Sequence, residues 1–462
     1  MVRKSIAIIL AGGKGERFNA AIPKQFAKVA GKTVIEHTID CFEQHEQITE
    51  IVIVMNPAYT DKMESLILKN NWTKVKKVLS GGKERYQSSL AAIQAYHGQT
   101  DVNLIFHDAV RPLIDQQIIT EVIQALEQYH AVDVAIPATD TIIQVDLEQH
   151  SIEQIPDRSK LYQGQTPQGF KLETIAEAYQ LALQDPNFKT TDDCGVVRKY
   201  LPEEKIFVVD GSKKNLKLTH IEDLYFIDKL YQLNSVTEKK HVCYELLKNK
   251  VVMVFGGNAG IGKEICDIAQ DYGAKVYAFS RSTTNTDISN LEQVQQAFDE
   301  VTRQEGKIDF VVVSAAILRK EAFHTMVQSD IEAMININYK GMVYVSKCAY
   351  PYLKESKGQL LHFTSSSYTL GRPFYSLYSS SKAAVVNFVQ ALSQEWSDAG
   401  IRVNCINPER TLTEMRVKNF GIEDPKTLLT AKEVAEASIV TLLSNYSGQV
   451  IDVRIKKNEE HL

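Results

Sequence analysis

Short apolar runs alternate along this chain with longer segments in which apolar positions recur at helical spacing. Runs of about five β-branched or aromatic residues, bounded by Gly, Asp and Pro, read as strands buried on both faces. Their alternation with helix-length amphipathic segments predicts α/β domains with mostly parallel sheets. In the first half the predicted strands are Ile6–Leu10, Ile51–Met55, Leu104–His107, Asp133–Pro137 and Ile206–Val209. A second series runs Val251–Phe255, Lys275–Ser280, Phe310–Ser314, Gln359–Thr364 and Arg402–Ile406. Each series opens with a strand entering a glycine-rich turn, which predicts two nucleotide-binding domains, residues 1–235 and 250–462, joined by a linker at 236–249. The surrounding segment Leu233–Lys250 is polar and charged and reads as a helical or extended connector. The two glycine motifs differ, so the halves are not an internal repeat. The polar stretch Lys456–Leu462 is expected to fray.

Composition narrows the classes. The chain has 462 residues, 44% hydrophobic and 24% charged, enough for each half to bury its own core. A formal net charge of −5 supplies no global positive field for nucleic acid, and no basic stripe with aromatic stacking residues occurs. Cysteines at 41, 194, 243, 266, 348 and 405 have neither C-x-x-C spacing nor a zinc-type cluster, which fits a reducing compartment. The apolar run at the N-terminus is too short for a signal peptide, and no apolar stretch reaches the roughly 18 residues a membrane helix needs. A cytoplasmic location, with no membrane and no nucleic-acid partner, is the expectation.

The first glycine turn is Leu10-Ala11-Gly12-Gly13-Lys14-Gly15-Glu16-Arg17, followed by Pro23-Lys24-Gln25-Phe26. Glycines after a strand let backbone N–H groups approach phosphates without an intervening Cβ. Arg17 and Lys24 add positive charge of the kind a leaving pyrophosphate requires. An ordinary tight turn with solvated charges is the competing reading, and the spacing matches neither G-x-G-x-x-G nor a Walker loop.

The combination L-A-G-G-x-G-x-R with P-K-Q resembles the nucleotidyltransferases that make methylerythritol- and ribitol-type CDP-alcohols. Gly81-Gly82-Lys83-Glu84-Arg85 with Ser88 resembles their cytosine-reading loop, and His107-Asp108-Ala109-Val110-Arg111-Pro112 their metal and substrate segment. Asp140-Thr141, Arg158 and Thr166-Pro167-Gln168 resemble the alcohol-phosphate site, and Asn215-Leu216-Lys217-Leu218-Thr219 the terminal lysine motif. The resemblance implies CTP bound by Leu10, Ala11, Gly12, Gly13, Gly15, Gly82, Arg85 and Ser88, with Arg17, Lys24 and Lys217 caging the triphosphate. It implies Mg²⁺ at Asp108, a hard oxygen ligand, and substrate phosphate at Arg111, Thr141, Arg158 and Thr166, where guanidinium binds bidentately. A turn acid remains the alternative for Asp108, and a surface lysine for Lys217. The stretch Arg158–Gln168 looks closer to the ribitol 5-phosphate enzymes than to the isoprenoid ones. The resemblance further implies a homodimer or higher homo-oligomer formed through an arm near Ile142–Pro156, with Arg158 and Thr166 serving the neighbouring site.

In the second half, Val251–Phe255 runs into Gly256-Gly257-Asn258-Ala259-Gly260-Ile261-Gly262, a strand-to-helix turn suited to pyrophosphate on a helix N-terminus. Tyr378 and Lys382, spaced i, i+4, share a helix face; Ser365 lies thirteen residues before Tyr378, and Asn338 sits in Ile337-Asn338-Tyr339. This set resembles the short-chain dehydrogenase/reductases. The resemblance implies that Tyr378 donates a proton to a ketone, Lys382 favours the phenolate, Ser365 (or Ser366) holds the carbonyl oxygen and Asn338 holds a proton relay. Cofactor contacts are expected at Gly256, Asn258, Gly260, Ile261, Gly262, Arg281 and Asp287. Arg281, where an acid would favour NAD, fits the 2′-phosphate of NADPH, with a solvated loop residue as the alternative. Ser314-Ala315-Ala316-Ile317 and Pro408-Glu409 depart from the family's N-N-A-G and P-G, which leaves substrate geometry open. Arg319, Lys320, Arg372, Arg410 and Arg416 are candidates for a sugar phosphate, each with a solvated-charge alternative.

The fold expected is therefore two doubly wound, Rossmann-like α/β domains, nucleotidyltransferase-type and then short-chain reductase-type. The whole chain resembles the bifunctional enzymes that supply CDP-ribitol for bacterial surface polysaccharide. That implies reduction of D-ribulose 5-phosphate to D-ribitol 5-phosphate, then reaction with CTP. Two alternatives stay open: a methylerythritol phosphate cytidylyltransferase fused to a reductase of unrelated substrate, or to a non-catalytic assembly module.

Overall fold

The computed structural model describes residues 3–13, 22–234 and 243–455. The chain divides into two compact units, Met1–Asp228 and Lys229–Leu462. The expected connector at 233–250 falls partly outside the described residues, as does the stretch 456–462.

The first unit contains β1 (Lys4–Ala11), β2 (Lys28–Val29), β3 (Lys32–Thr33), β4 (Ile48–Met55), β5 (Val75–Ser80), β6 (Val102–Asp108), β7 (Ala131–Pro137), β8 (Gln144–Asp146), β9 (Ser151–Gln154), β10 (Tyr162–Gly164), β11 (Gln168–Lys171) and β12 (Ile206–Asp210). Its main sheet runs β10-β7-β11-β6-β1-β4-β5, with β12 paired to β7. Helices cover both faces, so the central strands read as continuous apolar runs rather than alternating ones. All seven residues of β6 are buried. The five predicted strands are all present. The sheet is mixed, however, because β10 and β11 run antiparallel to their neighbours. These strands, like Lys-rich β5, are short and polar and carry no buried-strand signature. β8 and β9 form a separate hairpin.

Local signals agree with the helices. Helix Val34–Gln44 starts in a capping box of Thr33 and Glu36. Burial pushes the Glu36 carboxyl up, but bonds from Asn70 and Thr33 outweigh it and hold it down at about 2.

The second unit is an all-parallel, six-stranded sheet ordered β14-β13-β15-β16-β17-β18. Its strands are β13 (Val251–Phe255), β14 (Lys275–Phe279), β15 (Phe310–Val313), β16 (Gln359–Phe363), β17 (Arg402–Pro408) and β18 (Val450–Val453). On one face Ile265 and Ile268 pack with Val434 and Ile439. On the other, Val294, Phe298, Val345 and Val389 form the core. In both units strand order reverses beside the opening strand, β1 or β13. The crevice at the carboxyl ends there is where an open α/β sheet binds ligands.

Phe298 is fully buried and stacks on Tyr352 at 5.3 Å. Phe298→Ala is expected to destabilise the second unit by about 3–5 kcal/mol, seen as a lowered midpoint in a denaturant titration.

Candidate active sites

In the first unit the turn after β1 and the end of β6 face a cavity of about 190 Å³. Leu10, Ala11, Gly12, Gly13, Lys24, Gly82, Arg85, Ser88, Asp108 and Lys217, ten of the residues singled out from the sequence, line it. Gly15 and Arg17 lie outside the described residues. A Cβ on Gly12 would sit 2.9 Å from Ser88 Oγ, so glycine is what admits that hydroxyl beside the turn.

Asp108 is the electrostatic centre. Arg85 Nη1 reaches its Oδ1 at 2.6 Å, Lys217 Nζ its Oδ2 at 2.9 Å and Arg111 Nε its Oδ2 at 3.6 Å. Burial alone would raise this carboxyl; Arg85, Lys217 and Arg111 overcome burial and hold it far below the usual carboxylate range. Thr166 Oγ1 accepts the Asp108 N–H and contacts His107 Nδ1, each at 3.1 Å. Burial pushes His107 down to about 4, so it remains neutral. Arg111 donates to the Asn215 carbonyl at 2.8 Å, and Asn215 Nδ2 donates to the Thr166 carbonyl at 2.8 Å. Four distant segments are thereby locked around one carboxylate.

Sequence reasoning passed over Asp193 and Tyr179. Arg85 Nη2 bonds Asp193 Oδ2 at 3.0 Å, and the Tyr179 hydroxyl donates to Asp193 Oδ1 at 2.7 Å. Both are buried behind Arg85. In the sequence Asp193 reads as a turn acid, and nothing local marks its distant partner. Gln25, quoted in the P-K-Q motif but given no role there, is buried and donates to the Ala11 carbonyl at 3.1 Å, fixing the glycine turn.

Thr141 and Arg158 do not line this cavity. Both are exposed, and Arg158 donates to the Thr139 carbonyl at 3.1 Å. They flank the β8–β9 hairpin, whose apolar residues include exposed Leu147 and Ile152.

The second unit holds a cavity of about 500 Å³ lined by Gly256, Asn258, Gly260, Ile261, Gly262, Arg281, Asp287, Ser365, Tyr378 and Lys382. Gly256 has φ +90°, and a Cβ there would meet Ala315 N at 2.6 Å. A Cβ on Gly262 would meet the Gly256 carbonyl at 2.1 Å. The turn is thus tight enough that only glycine closes it against β15. Ser314, standing where the family pattern has Asn, donates to the Gly256 carbonyl at 3.1 Å and ties the turn to β15.

Burial dominates the two titratable groups expected to act here, Tyr378 and Lys382. It pushes the Tyr378 phenol up to about 12, against a hydrogen bond with Ser365 that pulls it down. It pushes the Lys382 amine down to about 8. The Lys382 ammonium donates to the Phe363 carbonyl at 2.9 Å and lies 5.5 Å from the Tyr378 ring centre. Burial thus sets the phenol, which keeps its proton at neutral pH. Asn338 is buried outside the cavity lining, within the π-helical turn Asn336–Gly341. Its amide accepts the Ile317 N–H and donates to the Ile317 carbonyl, both at 2.8 Å, so it positions that backbone segment.

Comparison with known proteins follows this division. The family model for 2-C-methyl-D-erythritol 4-phosphate cytidylyltransferase matches residues 5–231, and that for short chain dehydrogenase matches residues 250–421. The chain is 47% identical over 465 residues to the bifunctional ribulose 5-phosphate reductase/CDP-ribitol pyrophosphorylase Bcs1 of Haemophilus influenzae, covering 99% of this chain and 97% of that one. It is 41% identical over 228 residues to the 2-C-methyl-D-erythritol 4-phosphate cytidylyltransferase of Thermobifida fusca (strain YX), covering 48% of this chain and 92% of the relative. Similarity to the enzyme of that name from Geobacillus kaustophilus (strain HTA426) is 37%, covering 48% and 95%.

As pH rises through about 8, Lys382 loses its charge while Tyr378 stays protonated. The pH profile of kcat/KM for ketone reduction should be flat through neutrality and fall above about 8. Lys382→Met should lower the whole profile and remove that limb.

Proposed function

The chain belongs to the family of bifunctional ribulose 5-phosphate reductase/CDP-ribitol pyrophosphorylases, and from that premise we propose that it makes CDP-ribitol in two steps. The second unit reduces D-ribulose 5-phosphate to D-ribitol 5-phosphate with NADPH. The first unit joins that product to the cytidylyl group of CTP and releases pyrophosphate. The observation that carries this reading is the 47% identity across both units at once.

In the reductase, the glycine turn and the N-terminus of helix Gly260–Asp271 suit a dinucleotide pyrophosphate. The bound nicotinamide would supply hydride to the carbonyl carbon. Ser365 orients the carbonyl oxygen, and Tyr378, still protonated, gives it the proton that completes the alcohol. Lys382, charged below pH about 8, stabilises the phenolate left behind until solvent restores its proton. Arg281 lines the cavity just after β14 and supports NADPH over NADH.

In the transferase, the phosphate oxygen of the alcohol phosphate attacks the α-phosphorus of CTP, and the bond to pyrophosphate breaks. No protein nucleophile is required; alignment and charge neutralisation lower the barrier. Lys24 and Lys217 face the cavity where the triphosphate would lie, and Arg17 is the further cation expected there. Asp108, an ionised carboxylate at the cavity wall, fits Mg²⁺ of the kind that takes one or two carboxylates and completes its shell with phosphate oxygens. That ion would neutralise phosphate charge. The β8–β9 hairpin, with Leu147 81% and Ile152 58% exposed, supports an arm that meets a second copy of the chain. Arg158, with Thr141 beside it, would then complete the partner's site, whereas Thr166, expected to do the same, is bonded to the Asp108 N–H and His107 of its own chain.

The 41% identity of the first unit to a methylerythritol phosphate enzyme favours a second reading, with that alcohol phosphate as substrate. One assay separates the two. With Mg²⁺, CTP, NADPH and D-ribulose 5-phosphate, the protein should oxidise NADPH and yield the mass of CDP-ribitol. Tyr378→Phe should lower NADPH oxidation by about 10²–10⁴-fold yet still form CDP-ribitol when D-ribitol 5-phosphate is supplied. Asp108→Asn should do the reverse. Turnover of methylerythritol phosphate but not ribitol 5-phosphate would replace this reading with the second.

A further inference from the structure

Besides Arg281, three guanidiniums line the reductase cavity: Arg372, Arg410 and Arg416. Aromatic contacts connect this region to the reacting centre. Tyr375 packs edge-on against Tyr378 at 6.5 Å and against Phe420 at 5.9 Å, and the Arg416 guanidinium lies 4.5 Å over Phe420.

The charges are not equivalent. Arg416 is held by both oxygens of Glu423, at 2.6 and 2.9 Å, and Arg410 approaches the same carboxylate at 3.9 Å. Arg319 pairs with Asp330 at 3.3 Å and, like Lys320, does not line the cavity. Of the lining acids here, Glu409 accepts the Ile455 N–H at 3.0 Å, and Glu414 sits in the first turn of its own helix. Arg372 stands apart. It donates to Ser366 Oγ at 3.0 Å, beside Ser365, and has no carboxylate partner among the described residues. Its loop also carries backbone strain: Phe374 has φ +69°, a region that bulky side chains rarely adopt, and its carbonyl accepts the Glu321 N–H at 2.6 Å.

Ser365 and Tyr378 line the same cavity as Arg372 and Arg410, so a ketone held at that pair shares its enclosure with both guanidiniums. In a 2-ketopentose 5-phosphate the phosphate lies three carbons from the carbonyl. An uncompensated guanidinium beside the reacting centre matches that dianion in charge and in bidentate geometry. We propose that Arg372, with Arg410 as second cation, binds the phosphate of a phosphorylated ketose and sets the preference of the reductase for it. This rests on the second unit being a ketose phosphate reductase.

The test compares D-ribulose 5-phosphate with D-ribulose, using NADPH and the full chain, in the wild type, Arg372→Met and Arg372→Lys. The ratio of kcat/KM for the phosphorylated over the plain ketose should fall about 10–100-fold in Arg372→Met, mainly through KM for the phosphorylated substrate. Arg372→Lys should recover part of it, because lysine restores charge but not the fork. A ratio unchanged in Arg372→Met, with both substrates slowed equally, overturns the assignment of Arg372 alone. A wild type with no preference for the phosphorylated ketose overturns the reductase reading and this proposal together.

Discussion

Strands β6, β13, β15 and β16 are buried along their entire length. Their backbone polar groups are consumed by neighbouring strands and their side chains by the two flanking helical layers. Such a sheet can offer chemistry only where its strands end. Asp108 is the last residue of β6, Gly12 follows β1, Gly256 follows β13 and Ser365 comes two residues after β16. Both candidate sites therefore occupy the same architectural position, although their chemistry has nothing in common.

The two sites handle buried charge in opposite ways. In the first unit a buried acid is surrounded by Arg85, Arg111 and Lys217, and pairing defeats desolvation. The result is an electropositive basin that keeps its carboxylate ionised, suited to polyphosphate chemistry in which no protein proton moves. In the second unit Tyr378 and Lys382 are buried without charged partners of that strength, and desolvation wins. It keeps the phenol protonated, the state that reduction of a ketone consumes. The cost of taking charge out of water is overcome by three cations at Asp108 and prevails at Tyr378, so the carboxylate stays ionised and the phenol stays protonated.

All ten strands read from the sequence are present: the central ones because a strand buried on both faces must be a continuous apolar run, and β12 and β14 although they are partly exposed. The glycine turns were legible from their place after a strand, although the backbone that demands glycine at Gly256 is that of the distant Ala315. The i, i+4 pair Tyr378–Lys382 was legible because helix geometry alone puts both on one face. Antiparallel β10 and β11 escaped notice because short polar strands take their pairing from distant neighbours. Asp193 escaped for the same reason, since its partners Arg85 and Tyr179 come from other helices.

The tertiary structure also decided what each recognised residue does. Asn338 could be placed in its motif, yet only the fold shows its amide clasping the Ile317 backbone. Five cations stood as equal candidates for a sugar phosphate until the fold left Arg319 and Lys320 out of the cavity lining and paired Arg416 closely, and Arg410 more distantly, with Glu423. Thr141 and Arg158 lay in the right motif but sit outside the Asp108 cavity. Sequence alone determined the periodicities, the turns and the types of chemistry available, because those depend on residues a few positions apart. The effective charge of each group and the direction it faces depend on residues a hundred positions away, and only the folded chain brings those together.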